Sequence, residues 1–86
     1  MMSEASKVFE DMTKDEKHFA HHFYVAVADD HVGFSVPKAM RYRLRELGLM
    51  NWKGGNYFET TNLLIDMMPL LNQWYINECT TTPHSH

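Results

Sequence analysis

The sequence contains little cysteine, glycine or proline and no long apolar run. The single cysteine, Cys79, excludes an internal disulfide and a cysteine-rich zinc site. Four glycines and three prolines in 86 residues exclude collagen-like and low-complexity chains. Neither Gly-x-x-x-x-Gly-Lys nor Gly-x-Gly-x-x-Gly occurs, so no glycine loop for phosphate is expected. No apolar stretch approaches the roughly 20 residues of a membrane span, and we expect a cytoplasmic protein with no membrane partner.

The overall composition is that of one small globular domain. Hydrophobic residues make up 44% of the chain and charged residues 22%, which excludes a disordered polypeptide. We expect a single domain over residues 1–79, followed by a disordered tail, residues 80–86, that has no apolar anchor. A chain of this size has little material with which to build a substrate pocket. We therefore expect no enzymatic activity, no catalytic residues, no bound metal and no cofactor.

Charge is distributed unevenly along the chain. The net charge is −3, but the stretch from Ser35 to Tyr57 has a net charge of +4 and the remainder a net charge of −7. Segregation of this kind is typical of an acidic protein with one basic edge. That edge is the most informative feature of the sequence.

The first third of the chain is predicted to be helical. Residues 1–12 are compatible with a short helix, and Thr13 and Glu16 have the spacing of a capping box that begins a second one. Residues 23–36 are compatible with two structures. The second helix continues to about Ala28, or aromatic and β-branched residues form a β-hairpin. The capping box upstream favours the helix.

A third helix is predicted from Val36 to Leu47. Ser35 is placed to cap it, Pro37 falls in its first turn, and Gly48 is a typical residue to end it. At about 100° per residue, its residues divide into two opposite faces. The apolar face is expected in the core and comprises Val36, Met40, Leu44 and Leu47. The opposite face is basic and comprises Lys38, Arg41 and Arg45, with Tyr42 at its margin.

The basic face has two interpretations. It is a solvated helix surface, or it is a surface that binds DNA. Arginine fits the second interpretation, because its guanidinium group matches phosphates and the O6 and N7 atoms of guanine. We favour DNA binding because the cations are concentrated on one face of an otherwise acidic chain.

A hairpin and a final helix are predicted after the basic helix. Residues 51–60 have two β-compatible runs around a Gly-Gly turn. Thr61 or Asn62 is placed to cap a helix from about Leu63 to Asn77. Its apolar surface is wider than one helix needs to pack on a core, so the helix is nearly buried in its own domain or forms a homodimer interface. We favour the interface and assign to it Leu64, Met67, Met68, Leu71, Trp74 and Tyr75.

Residues 35–75 resemble winged-helix transcriptional regulators of the MarR and HxlR type. The string Leu44-Arg-Glu-Leu47-Gly48-Leu49-Met50 is similar to the end of their recognition helix, and residues 57–61 are similar to the exit from their wing. The last helix, with Pro69 and Trp74, is similar to theirs. The resemblance implies a winged helix-turn-helix (α+β) fold, mostly helical with a small hairpin, in a dimeric regulator that binds double-stranded DNA. It also implies the DNA-contacting residues, which are Ser35, Lys38, Arg41, Tyr42 and Arg45 on the helix and Asn51, Lys53 and Asn56 on the wing.

An alternative function belongs to a different class. The net acidity, the short wing and the methionine-rich last helix also suit an adaptor or inhibitor that binds a protein partner on a winged-helix scaffold. Two histidines, His18 and His22, have the four-residue spacing of a metal pair, but no patterned third ligand accompanies them. We interpret them as part of a partly exposed helix face.

Overall fold

Five helices and one two-stranded hairpin make up the part of the chain that the computed structural model describes, residues 3–29, 31–55 and 57–81. In chain order the elements are α1 (Glu4–Asp11), α2 (Lys14–Ala28), α3 (Val32–Ser35), α4 (Lys38–Glu46), β1 (Met50–Trp52), β2 (Phe58–Thr60) and α5 (Asn62–Thr81). The two strands pair antiparallel, with Trp52 opposite Phe58. The prediction of a mostly helical protein with one small β-hairpin is therefore confirmed.

The first two helices begin at polar capping residues. The Ser3 hydroxyl accepts a hydrogen bond from the backbone N–H of Ser6. At the start of α2, the Thr13 hydroxyl accepts from the Glu16 N–H at 3.1 Å, and the Glu16 carboxylate accepts from the Thr13 N–H at 2.9 Å, so the predicted capping box is present. Helix α2 then continues to Ala28. The helical interpretation is confirmed, and the hairpin alternative for residues 23–36 is wrong.

The start of α4 differs from the prediction. Ser35 does not cap this helix, because its hydroxyl donates to the backbone carbonyl of His31 at 2.9 Å within the single turn of α3. Val36 is extended, with φ −115° and ψ 114°, since a residue that precedes proline avoids helical backbone angles. Pro37 therefore occupies the N-cap position, and its carbonyl accepts the first helical bond from the Arg41 N–H at 2.9 Å.

Gly48 ends α4, as predicted, and its carbonyl also anchors α5. Its φ of 82° lies in the left-handed region that glycine adopts without strain, and the Leu49 N–H bonds the Leu44 carbonyl at 2.9 Å across this turn. The Thr61 hydroxyl donates to the Gly48 carbonyl at 2.7 Å and accepts from the Leu64 N–H at 3.2 Å. Thr61 is therefore the cap of α5 and ties it to the end of α4, with the hairpin between them.

The core lies between α2, α4 and α5. Of the four residues predicted to face inward from the basic helix, Val36 and Leu44 are buried, and Met40 and Leu47 pack against the buried cluster. Phe23 of α2 is fully buried in the same cluster. The inward face of α4 is confirmed, and its opposite face is directed away from the core.

The predicted interface on the last helix requires a correction. Four of its six residues lie inside the chain: Leu64, Met67, Met68 and Leu71 are all buried. The reason is that α1 and α2 both pack against α5, and Ala5 of α1 and Met12, the residue that ends α1, belong to the same buried cluster. Helix α1 thus covers apolar surface that an isolated α5 would expose. Trp74 is half-buried and Tyr75 is exposed, so only these two of the six reach the surface.

Helix α5 is longer than predicted. It includes Pro69 and extends to Thr81, so the first two residues of the predicted tail are helical. Residues 82–86 lie outside the described residues. Within the described ranges, every helix is too short or too polar to cross a membrane.

Candidate nucleic-acid interface

The face of α4 that is directed away from the core contains three cations and a tyrosine. Lys38, Tyr42 and Arg45 are exposed, and Arg41 is half-buried. Among the described residues, none of the three cations forms an ion pair. Their positive charge is therefore available to an anionic partner.

Arg41 lies over the aromatic side chains of the hairpin. Its guanidinium carbon is 4.9 Å from the centroid of the Trp52 ring and 5.6 Å from that of Phe58, both within cation–π range. The two rings are cross-strand partners with centroids 5.2 Å apart. In this position the Arg41 Nε is buried without a hydrogen-bond partner among the described residues. Arg41 therefore fixes the hairpin against α4 and adds positive charge where the two elements meet.

A cleft of about 200 Å³ lies between α4 and the hairpin loop. Tyr42 and Arg45 line it from the helix, and Trp52, Gly54 and Gly55 line it from the hairpin. The Tyr42 and Trp52 rings are tilted by 47° with centroids 5.4 Å apart, and the Arg45 guanidinium carbon is 5.7 Å from the Tyr42 ring. The Trp52 indole N–H donates to the Gly55 carbonyl at 2.9 Å, which fixes the indole against the loop.

The structure does not bring every predicted DNA-contacting residue to the cleft between α4 and the hairpin loop. The Ser35 hydroxyl donates to the His31 carbonyl, which gives it a local structural role, and its contact with DNA stays a prediction. Asn51 is exposed, but strand alternation places it on the hairpin face opposite to Trp52. Lys53 is exposed and pairs with Glu59 at 3.3 Å, which neutralises part of its charge. Asn56 lies outside the described residues.

Arg43 belongs to the basic stretch but not to the basic face. Its Nε donates to the Glu16 carboxylate at 2.7 Å, and its Nη1 donates to Glu46 at 3.1 Å. Burial alone would raise the pKa of Glu16, but the hydrogen bonds from the Arg43 side chain and the Thr13 backbone, with the charge of Arg43, lower that pKa below its ordinary value. Arg43 therefore joins the start of α2 to α4, and its charge is neutralised within the protein.

Replacing Glu16 with glutamine is expected to remove a pH-dependent part of the stability. Because the pKa of Glu16 is lowered in the folded protein, its carboxylate stabilises the fold above its ordinary pKa of 4.5, and this stabilisation is lost as the pH falls through the folded-state value. Glutamine preserves the capping-box spacing but has no charge. We expect Glu16→Gln to lower the free energy of unfolding by about 1 kcal/mol at about pH 7 and to have little effect at about pH 3.

Urea unfolding at both pH values measures this difference. The matched control is Glu46→Gln, since Glu46 is exposed and contacts the same arginine; we expect it to change the stability by less than about 1 kcal/mol. An equal loss for Glu16→Gln at both pH values would contradict the ionic role of this carboxylate.

Histidines of α2 meet His31 beside α3. The His22 ring is parallel to that of His18, with centroids 6.4 Å apart, and its centroid is 5.9 Å from that of His31. Burial, followed by the charges of His31, His18 and His21, lowers the pKa of His22, so its neutral form is favoured. In the part of the chain that the structure describes, no three His, Cys, Asp or Glu side chains are placed to share a metal ion.

A wider groove of about 490 Å³ lies between the start of α2 and the end of α5. Trp74 and Tyr75 line it, together with His18 and Cys79. Tyr75 also stacks on His21, with ring centroids 4.3 Å apart. The two residues of the predicted interface that reach the surface therefore line this groove.

Neither Trp52 nor Phe58 is among the residues that the sequence predicts for this site. The available signal is the two-residue period of β1, which places Trp52 on the same face as the buried Met50 and therefore toward α4. Its pairing with Phe58 then follows from a hairpin centred on the Gly-Gly turn.

Comparison with known protein families, with curated proteins and with solved structures gives no match for this chain. The fold and the site together define a small, mostly helical protein with an exposed basic helix face beside a two-stranded hairpin.

Proposed function

We propose that this protein binds double-stranded DNA with the exposed face of α4 and acts as a transcriptional regulator without enzymatic activity. The observation that supports the proposal best is that Lys38, Arg41 and Arg45 are not neutralised by acidic side chains of the described residues. They share one helix face and form no ion pair within the described residues, although the protein has a net charge of −3. DNA phosphates are the anions that such a row of cations suits, because each neutralised phosphate releases a condensed counterion.

The order of elements supports a winged helix-turn-helix interpretation. In this interpretation α2 takes the place of the helix that precedes the recognition helix, the single turn of α3 connects it to α4, α4 is the recognition helix, and β1 and β2 form the wing. From α4 to α5 this is the order that the resemblance to MarR- and HxlR-type regulators implies. An α-helix fits the major groove, where Arg41 and Arg45 reach phosphates or guanine edges. Lys53, which follows β1 at the hairpin loop, then contacts the DNA backbone beside that groove.

A homodimer is part of the proposal, with a surface that differs from the one predicted from the sequence. Four apolar or aromatic side chains on α2 and α5 are between 38% and 49% exposed: Tyr24, Val25, Ile65 and Tyr75. Because α2 and α5 pack against each other, these side chains offer an apolar surface that a second copy covers about a two-fold axis. Such a dimer presents two copies of α4 to major grooves about 34 Å apart.

Fluorescence anisotropy of a labelled duplex of random sequence tests the proposal at about 50 and 200 mM salt. A plot of the logarithm of the affinity against the logarithm of the salt concentration has a slope of about −0.9 for each phosphate that the protein neutralises. A single copy with three cations is therefore expected to lose about 40-fold in affinity, and a dimer with six to lose about a thousandfold or more. The titration thus reports both DNA binding and the number of copies, and no binding at the lower salt contradicts the proposal.

A second candidate function, a protein-interaction module, is supported by the exposed apolar side chains of α2 and α5. An adaptor or inhibitor would bind another protein through the same surface that the first proposal gives to a second copy. Binding of this kind persists at high salt and depends on Val25 and Ile65 rather than on α4. Replacement of both residues by serine abolishes partner binding under the second function. Under the first it breaks the dimer, so the salt dependence of DNA binding falls to that of a single copy while the contacts made by α4 remain.

A further inference from the structure

We propose that the cleft between α4 and the hairpin loop receives one unpaired nucleobase. The inference rests on the proposed function and adds the kind of nucleic acid that the protein prefers, which is duplex DNA with an unpaired or extruded base. The cleft has a volume of about 200 Å³, and both aromatic and cationic side chains line it.

The aromatic rings of the cleft suit a planar ligand. Tyr42 and Trp52 are tilted by 47° with centroids 5.4 Å apart, so the two rings do not cover each other face to face. Tyr42 is 47% exposed and Trp52 is half-buried, so both retain surface that a ligand can contact. Tyrosine and tryptophan rings bind unpaired bases by stacking, and this contact tolerates different sequences because every base has a π-face.

Hydrogen bonds hold the described residues of the cleft in place. The hydrogen bond from the Trp52 indole N–H to the Gly55 carbonyl holds the indole in place. The Lys53 N–H bonds the Tyr57 carbonyl at 2.8 Å and closes the loop. A Cβ atom on Gly54 or Gly55 would meet no atom within 4 Å, so the space beside the loop is empty. A preorganised cleft loses less conformational entropy on binding than a flexible one.

Two arginines favour a nucleotide over a neutral aromatic ligand. Arg45 is exposed in the wall of the cleft, with its guanidinium carbon 5.7 Å from the Tyr42 ring, so its fork is available to a phosphate next to the inserted base. Arg41 adds a second positive charge 4.9 Å from the Trp52 ring. A planar base joined to a phosphate matches both the rings and the charges.

A continuous duplex cannot use this cleft, because both faces of each base are stacked on its neighbours. A base enters only when it is bulged, mismatched or flipped out of the helix. One stacked base is expected to raise the affinity by about 10-fold or more. The cleft therefore distinguishes damaged or distorted DNA from regular duplex.

The test compares three labelled duplexes of one sequence: a continuous duplex, one with a single bulged adenine, and one with an abasic bulge at the same position. The abasic bulge has the flexibility of the bulge but no base. By anisotropy at about 50 mM salt, we expect the adenine bulge to bind at least about 10-fold more tightly than the other two duplexes.

Two variants of Tyr42 test whether the preference for the adenine bulge depends on the Tyr42 ring. Tyr42 is exposed on α4 and alanine favours helix, so Tyr42→Ala is expected to fold. The ratio of affinities for the adenine bulge and the continuous duplex should approach one in Tyr42→Ala and persist in Tyr42→Phe, which keeps the ring. In a Trp74→Phe background Trp52 is the only tryptophan, and its emission should be quenched by the adenine bulge but not by the abasic one.

Each contrary outcome has a distinct meaning. Equal, salt-dependent affinity for all three duplexes overturns the cleft inference and leaves the proposed DNA binding intact. A preference that persists in Tyr42→Ala without quenching of the Trp52 emission also overturns the inference, because the base is then bound outside the cleft. No binding to any of the three duplexes overturns both the cleft inference and the proposed DNA binding.

Discussion

Replacing Lys38 and Arg45 with glutamate is expected to lower the affinity for duplex DNA by about 100-fold or more at about 50 mM salt. Each phosphate contact contributes about 10-fold at this salt through counterion release, and the new carboxylates repel the DNA backbone. The salt dependence should weaken as well, by about one unit of slope for each cation removed. Anisotropy titrations at several salt concentrations measure both effects.

The double variant is expected to fold. Both side chains are exposed and form no ion pair among the described residues. Lys38 lies in the first turn of α4, where glutamate is favoured by the helix dipole, and Arg45 lies in the last turn, where glutamate is disfavoured. These two effects, each up to about 1 kcal/mol, oppose each other. Arg41 stays unchanged because its stacking on Trp52 supports the hairpin.

Lys7→Glu with Lys14→Glu is the matched control, because it changes the net charge by the same amount outside α4. Both lysines are exposed, and the ion pair that Lys14 forms with Glu78 at 3.0 Å is a surface pair of small energy. An equal loss of affinity in this control would show that total charge, rather than the face of α4, determines binding. Unchanged affinity in a folded Lys38→Glu/Arg45→Glu variant would disprove the DNA proposal.

Features that depend on neighbouring residues were predicted well from the sequence. The capping box of Thr13 and Glu16 and the end of α4 at Gly48 each involve a few consecutive residues, and both are present. The start of α4 was not predicted correctly, because two local preferences compete there. Ser35 is a good capping residue, but the effect of Pro37 on Val36 prevents the helix from starting at Val36.

Only the part of the candidate site that α4 contributes was predictable from the sequence. The helical period separates Arg41 and Arg45 from the core face without reference to any other element. The approach of Trp52 to Arg41 depends on the hairpin folding back on α4. The pairing of Arg43 with Glu16 joins residues 27 apart in sequence. The two-residue period of β1 orients Trp52 but does not bring it to Arg41, and no local pattern pairs Arg43 with Glu16, so the cleft and the neutralisation of Arg43 appear only in the structure.

Leu71→Ala is expected to lower the free energy of unfolding by about 2–5 kcal/mol, because Leu71 is fully buried within one chain. The wide apolar surface of α5 by itself predicts that Leu71 lies in a dimer interface, but α1 and α2 cover this surface within the chain. The two locations give different results in dilute solution. At a concentration where sedimentation shows single chains, an interface residue no longer contributes to stability, whereas a core residue contributes in full.

Ile65→Ala is the matched control on the same helix, because Ile65 is 49% exposed and its removal leaves no buried cavity. Urea unfolding in dilute solution should show a change of less than about 1 kcal/mol for Ile65→Ala beside the large loss for Leu71→Ala. At higher concentration, Ile65→Ala should weaken self-association, since Ile65 belongs to the proposed dimer surface. If Leu71→Ala instead weakened self-association and left the dilute protein as stable as the wild type, Leu71 would lie at the interface, and the packing of α1 and α2 against α5 would be wrong.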